Sequence, residues 1–140
     1  MSFNVDDKIL AKVKEHLIGV CALNLQADEV DSDASIINKY GADSLDFLDL
    51  LFRLEEEFSI EIERGAIIKD AQGDLKEDEF LKDGFFTDKG LNRIKQVMVE
   101  IPDDKFPMRL KANDVTSLFT PKTFARIVSE QLSVQPRGNA

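Results

Sequence analysis

The chain has 140 residues, 27 of them acidic against 18 basic, for a formal charge of −9. That length suits one domain with room for a sizeable insertion, and 43% hydrophobic content with ten Phe separates it from an acidic disordered tail. The negative balance argues against nucleic acid, whose phosphates require Lys and Arg, and favours basic protein partners.

The charge is lopsided. Residues 1–62 hold 14 acids and 5 bases and carry the whole −9, whereas residues 63–140 hold 13 of each. A single cysteine, Cys21, leaves no internal disulfide and no Cys-rich metal site. Met1-Ser2-Phe3-Asn4-Val5-Asp6-Asp7 reads as neither a secretory signal nor an Arg-rich transit peptide, and no apolar run reaches membrane-spanning length. A cytoplasmic protein without membrane insertion is the expectation.

From Asp6 to about Leu23 the pattern is helical. Ile9, Val13, Leu17 and Val20 recur at three- and four-residue steps, widened by Leu10 and Cys21, with Lys8, Lys12, Lys14 and Glu15 opposite. Residues 26–43 lose that period and read as a long ordered loop anchored by Val30, Ile36, Ile37 and Tyr40 and closed by Gly41.

Ser44 to Phe58 is the clearest helix, with Asp43 as N-cap and Asp46 three residues later as an acidic capping box. Leu45, Leu48, Leu51, Phe52 and Phe58 are expected on its core side, broadened by Phe47, Leu50 and Leu54. Asp46, Asp49, Arg53, Glu56 and Glu57 have the spacing of one exposed stripe, four of the five acidic.

Residues 63–111 change texture. Gly73, Gly84, Gly90, Pro102 and Pro107 punctuate short segments. Thr87 is the expected N-cap of a helix carrying Leu91, Ile94, Val97, Met98 and Ile101. Ile67, Ile68, Phe80, Leu81, Phe85, Phe86, Phe106, Met108 and Leu110 give the stretch enough apolar surface to fold as a helical lid or added subdomain over the second and fourth helices. Asn113–Phe119 suits one or two helical turns. Thr120-Pro121 then starts a last helix through Phe124, Ile127, Val128 and Leu132, and residues 135–140 read as a disordered tail.

The block Tyr40-Gly41-Ala42-Asp43-Ser44-Leu45-Asp46-Phe47-Leu48-Asp49-Leu50 resembles the acyl carrier protein family at its attachment site, Gly-Ala-Asp-Ser-Leu-Asp. Looser, collinear likeness extends over residues 5–62 and 112–133. The resemblance implies an all-α, acyl-carrier-like four-helix bundle spanning 1–134 as a single carrier domain. An additional, mostly helical insertion occupies 63–111, far longer than the family's usual connection there. It implies 4'-phosphopantetheine, taken from coenzyme A and esterified to Ser44, with Asp43 and Leu45 flanking it. The partners implied are a phosphopantetheinyl transferase and then acyltransferases, ketosynthases or related enzymes with basic docking patches facing Asp46, Asp49, Glu56 and Glu57. The expected protein is a monomeric carrier and not an enzyme. Its cargo would serve fatty acid, polyketide or specialised lipid synthesis.

The physics of the position agrees with that role. A serine in the first turn of a helix presents its hydroxyl outward, beside backbone N–H groups without intrahelical partners, where a phosphodiester is favoured. Two rival readings stay open: an unmodified acidic adaptor, and a peptidyl or aminoacyl carrier, whose site more often has less acidic surroundings. Other chemistry is weaker. Ser44 lacks the second Gly of a nucleophile elbow, and the lone His16 assembles no triad. A calcium loop begun at Asp70 has Leu75 where Gly is needed and Leu81 where a bidentate Glu belongs. Cys21 reads as a buried structural thiol.

Overall fold

The computed structural model describes residues 6–63 and 65–134. The expected disordered tail, 135–140, lies outside the described residues. The chain is mostly helical and divides into two compact units, one holding Glu63–Leu118 and the other the flanking chain up to Ile62 and from Phe119.

The flanking unit is built on three helices, α1 (Asp7–Cys21), α2 (Ser44–Phe58) and α6 (Pro121–Val134), each in contact with the other two. Asp6 caps α1 by accepting from the Lys8 and Ile9 N–H groups. Val13 and Leu17 of α1, Leu50 and Leu54 of α2, and Phe124 and Val128 of α6 are fully buried and form the core. Thr120 caps α6 as its sequence suggests, its Oγ1 accepting from the Thr123 N–H at 3.2 Å. Phe47, Phe119 and Phe124 meet with ring centroids 5.1–5.5 Å apart, in the tilted and edge-on arrangements that aromatic quadrupoles favour.

Two expectations for α2 need correction. Leu45 and Phe52 are 73% and 56% exposed, so they belong to the outer surface and not to the core side. Apolar residues run around more than half of this helix, but only Leu50, Leu51, Leu54 and Phe58 are buried, with Phe47, packed on Phe124, and Leu48 half-buried.

Unit 63–118 has a core of its own. It contains α3 (Ala66–Gln72), α4 (Glu77–Phe80), a hairpin of β1 (Leu81–Lys82) and β2 (Phe85–Phe86), α5 (Asp88–Val97) and 3₁₀ turns at Asp103–Lys105 and Ala112–Leu118. The short third helix expected near Asn113–Phe119 is the last of these turns. Helix α3 packs on α5, and Ile67, Ala71, Phe80, Phe86, Leu91, Ile94 and Met98 are buried. Thr87 is the N-cap of α5, but the helix stops at Val97, short of Ile101, where Met98 leaves helical geometry ahead of Pro102.

The hairpin was not expected from the sequence. Asp83 and Gly84 both have positive φ, the two-residue turn whose twist matches that of paired strands. A third segment joins it: the Phe86 N–H donates to the Leu110 carbonyl at 2.9 Å, the Ala112 N–H to the Gly84 carbonyl at 3.0 Å, and Phe85 pairs with Lys111. The result is a three-stranded patch within an otherwise helical unit.

Gly90 lies directly against the backbone at the end of α4. A Cβ there would collide with the Phe80 carbonyl oxygen, which is fixed because it accepts from the Thr87 N–H at 3.0 Å. Gly90→Ala is therefore expected to destabilise unit 63–118 by about 1–3 kcal/mol, the ordinary cost of overpacking against an immovable neighbour. Urea unfolding followed by resonances of residues 63–118 would show a lowered midpoint. An unchanged midpoint would mean that α4 and α5 separate freely.

Candidate functional site

The approach to Ser44 is set by residues 31–43. The Lys39, Tyr40 and Gly41 N–H groups donate to the Ser35, Ile36 and Ile37 carbonyls, a helical turn inside what reads as loop in the sequence. Gly41, with φ of 71°, ends that turn in the left-handed region, and the Ala42 N–H donates back to the Ile36 carbonyl at 3.1 Å. This closure is one residue wider than a Schellman motif, and its glycine takes a backbone conformation that side-chain-bearing residues resist.

The turn is anchored at several points. The Ile36 N–H donates to the Phe119 carbonyl at 3.0 Å, and the Asp31 N–H donates to the Tyr40 hydroxyl at 2.8 Å. Lys122 pairs with Asp33 at 2.9 Å. The Asp33 N–H and, secondarily, Lys39 hold the Asp31 carboxyl below its usual range. This tie is present above the ordinary carboxylate pKa and is lost as pH falls through the lowered value. Ser44 thus starts its helix from a fixed entry.

Asp43 is the N-cap of α2. Its Oδ1 accepts from the Asp46 N–H at 2.8 Å, and Asp46 Oδ2 accepts from the Asp43 N–H at 3.2 Å, closing the box expected from the sequence. Ser44 is the first residue of the helix and is exposed. Among the described residues neither its hydroxyl nor the Ser44 and Leu45 N–H groups have a hydrogen-bond partner. A nucleophilic oxygen open to solvent, beside unused donors at the positive end of a helix, fits an esterified phosphodiester.

Residues 11–71 match the phosphopantetheine attachment site family. An acyl carrier protein of Solidesulfovibrio magneticus is 43% identical over 54 residues, covering 39% of this chain and 67% of that protein. The chain belongs to the acyl carrier protein family. It is a carrier and not a catalyst, and its cofactor is covalent 4'-phosphopantetheine. No solved structure matches the chain. Within the carrier, the family match ends inside α3, so most of unit 63–118 lies beyond it.

The acidic stripe of α2 is less uniform than its spacing suggests. Glu56 is exposed, and Asp46 is held in the capping box. Asp49 Oδ1 accepts from Arg53 Nε at 3.2 Å, and the Arg53 guanidinium reaches so close to α1 that a Cβ on Gly19 would lie 2.9 Å from it. Glu57 turns aside: its Oε1 lies 2.9 Å from His16 Nε2, linking α1 to α2. Exposed Leu45 and Phe52 interrupt the charges, a mixture that sequence spacing alone did not reveal.

Cys21 is half-buried at the end of α1, and not buried as the sequence suggests. Partial burial pushes its thiol pKa up, and the negative charges of Asp46 and Asp43 add to the effect. In a Ser44→Ala background, where it is the chain's one thiol, Cys21 is expected to react slowly with iodoacetamide at neutral pH. Asp46→Asn should speed that reaction by roughly two- to threefold by removing a like charge from the thiolate's surroundings. An unchanged rate would place the thiol outside the field of the α2 N-terminus.

Proposed function

We propose that Ser44 is the residue to which 4'-phosphopantetheine is attached, and that the protein carries acyl groups between enzymes of fatty acid, polyketide or specialised lipid synthesis. The observation that carries this reading is the exposed, unpartnered Ser44 hydroxyl at the first position of α2, within the family match. When bound, the group supplies a flexible arm whose terminal thiol holds an acyl chain as a thioester. The protein's own part is to fix the site of attachment. Asp43 caps the helix without using the serine, Gly41 closes the preceding turn, and the Ser44 and Leu45 N–H groups are left to hold a phosphodiester when the arm is attached.

The same reading assigns Asp43 and Leu45 to the surroundings of the arm. Asp46, Asp49, Glu56 and Glu57 would form a docking surface for basic patches on a phosphopantetheinyl transferase and on acyltransferases or ketosynthases. Glu56 and the mixed surface of Leu45 and Phe52 support docking of this kind, since charge raises encounter rate and exposed apolar groups add contact. Glu57 contributes less because it is engaged with His16. We further assign residues 1–134 to one carrier domain into which 63–111 is inserted, acting as a monomer in the cytoplasm. Among the described residues no helix is long and apolar enough to cross a membrane.

Incubation with a phosphopantetheinyl transferase and an acyl-coenzyme A tests the function. One acyl-phosphopantetheine should add to the intact protein, and hydroxylamine should release the acyl group alone. An unmodified protein that still binds basic partners would replace the carrier reading by an acidic adaptor.

A further inference from the structure

The three-stranded patch of unit 63–118 is two-faced. Leu81 pairs with Phe86, and both turn toward the side on which Leu110 is 3% exposed and Phe80 is 1% exposed. The opposite side carries Lys82 paired with Phe85, and Phe85 paired with Lys111. Paired residues share a sheet face and strand positions two apart return to it, so Arg109 joins the same side. The side-chain geometry agrees. The Arg109 guanidinium carbon lies 4.1 Å from the Phe85 ring centroid, and Lys111 Nζ lies 5.6 Å from it.

This face is cationic in a protein of charge −9. Lys82, Arg109 and Lys111 are all exposed, and among the described residues no carboxylate pairs with them. Asp83 and Asp114 are close in sequence but form no ion pair with any of the three. Met108, next to Arg109, is 94% exposed. Arg, aromatic and Met side chains are those enriched where proteins dock, and three unpaired cations leave a strong local preference for negative charge.

We propose that Lys82, Phe85, Arg109 and Lys111 form a docking surface for a partner protein that presents a short acidic, apolar-spaced segment. Charge complementarity selects the carboxylates, and size selects a protein. Three strands span only about 10 Å, enough for one or two turns of an acidic helix. An extended polyanion such as a nucleic acid or an anionic bilayer is far larger than a patch of three cations and would leave most of its charge unmatched there. Phe85 supplies an apolar contact that a bare anion would leave unused. The surface is read from unit 63–118 alone and stands or falls independently of Ser44.

The probe is a synthetic amphipathic helical peptide with Glu at four-residue spacing and a Leu stripe, titrated into the isotopically labelled full chain. Resonances of Lys82, Phe85, Arg109 and Lys111 should shift together, and binding should weaken with salt. The combined Lys82→Glu, Arg109→Glu and Lys111→Glu variant should bind roughly tenfold more weakly. Arg109→Gln with Lys111→Gln, which keeps the buried side of the patch, should show a smaller loss in the same direction and guards against misfolding. The proposal is overturned if the peptide does not bind, if its Gln-for-Glu counterpart binds equally, or if the shifts fall elsewhere. It is also overturned if phosphatidylglycerol vesicles or a single-stranded oligonucleotide bind these residues more tightly than the peptide.

Discussion

Ser44→Ala is expected to abolish phosphopantetheine attachment completely and to leave the carrier folded. The two halves of that expectation have separate causes. Attachment needs a hydroxyl oxygen, and no neighbouring group can substitute for it. Stability does not need that oxygen, because the helix is capped by Asp43, whose carboxylate takes the Asp46 N–H, while the serine side chain is exposed and makes no hydrogen bond among the described residues. The change in unfolding free energy should stay within about 0.5 kcal/mol, the usual range for an exposed position away from special features. Asp43→Ala is the informative contrast. Loss of the cap should cost about 0.5–2 kcal/mol while the hydroxyl remains available. Intact-protein mass spectrometry after treatment with a transferase and coenzyme A, beside thermal unfolding of both variants, separates chemistry from stability. A Ser44→Ala protein that still gains the cofactor's mass would move the attachment site elsewhere.

Parts of this site were legible in the sequence because they depend on local chemistry. Asp43 and Asp46 are three residues apart at the start of a helix, and that spacing alone sets the capping box. Thr87 and Thr120-Pro121 likewise announced the starts of α5 and α6. What was not legible depends on distant neighbours. Glu57 and Glu56 are equivalent by helical spacing, and only the proximity of His16, forty-one positions away in sequence, turns Glu57 aside. Leu45 and Phe52 look like core residues until the arc covered by α1 and α6 is known. The hairpin had a local signal, Asp83-Gly84, but strands of two residues are too short to show a period of two.

Phe80→Ala is expected to unfold unit 63–118 while Ser44 remains open to modification. Phe80 ends α4, is 1% exposed and meets Phe86 edge-on at 5.2 Å, and its carbonyl accepts from the Thr87 N–H at the start of α5. Truncating a buried Phe costs about 3–5 kcal/mol, because the cavity it leaves is only partly refilled. For a unit of this size that loss is comparable with the whole stability expected of it, since small cores bury a smaller fraction of their surface. The attachment site draws on other residues: Val13, Leu17, Leu50, Leu54, Phe124 and Val128 form the core beneath it, and Gly41 and Asp43 shape its entry. Resonances of residues 63–118 should therefore collapse toward unfolded positions while the transferase still adds phosphopantetheine at an undiminished rate. If modification fails together with the unit's structure, the insertion is part of what holds the carrier in its working form. In that case the division into two separately cored units describes contacts and not cooperativity.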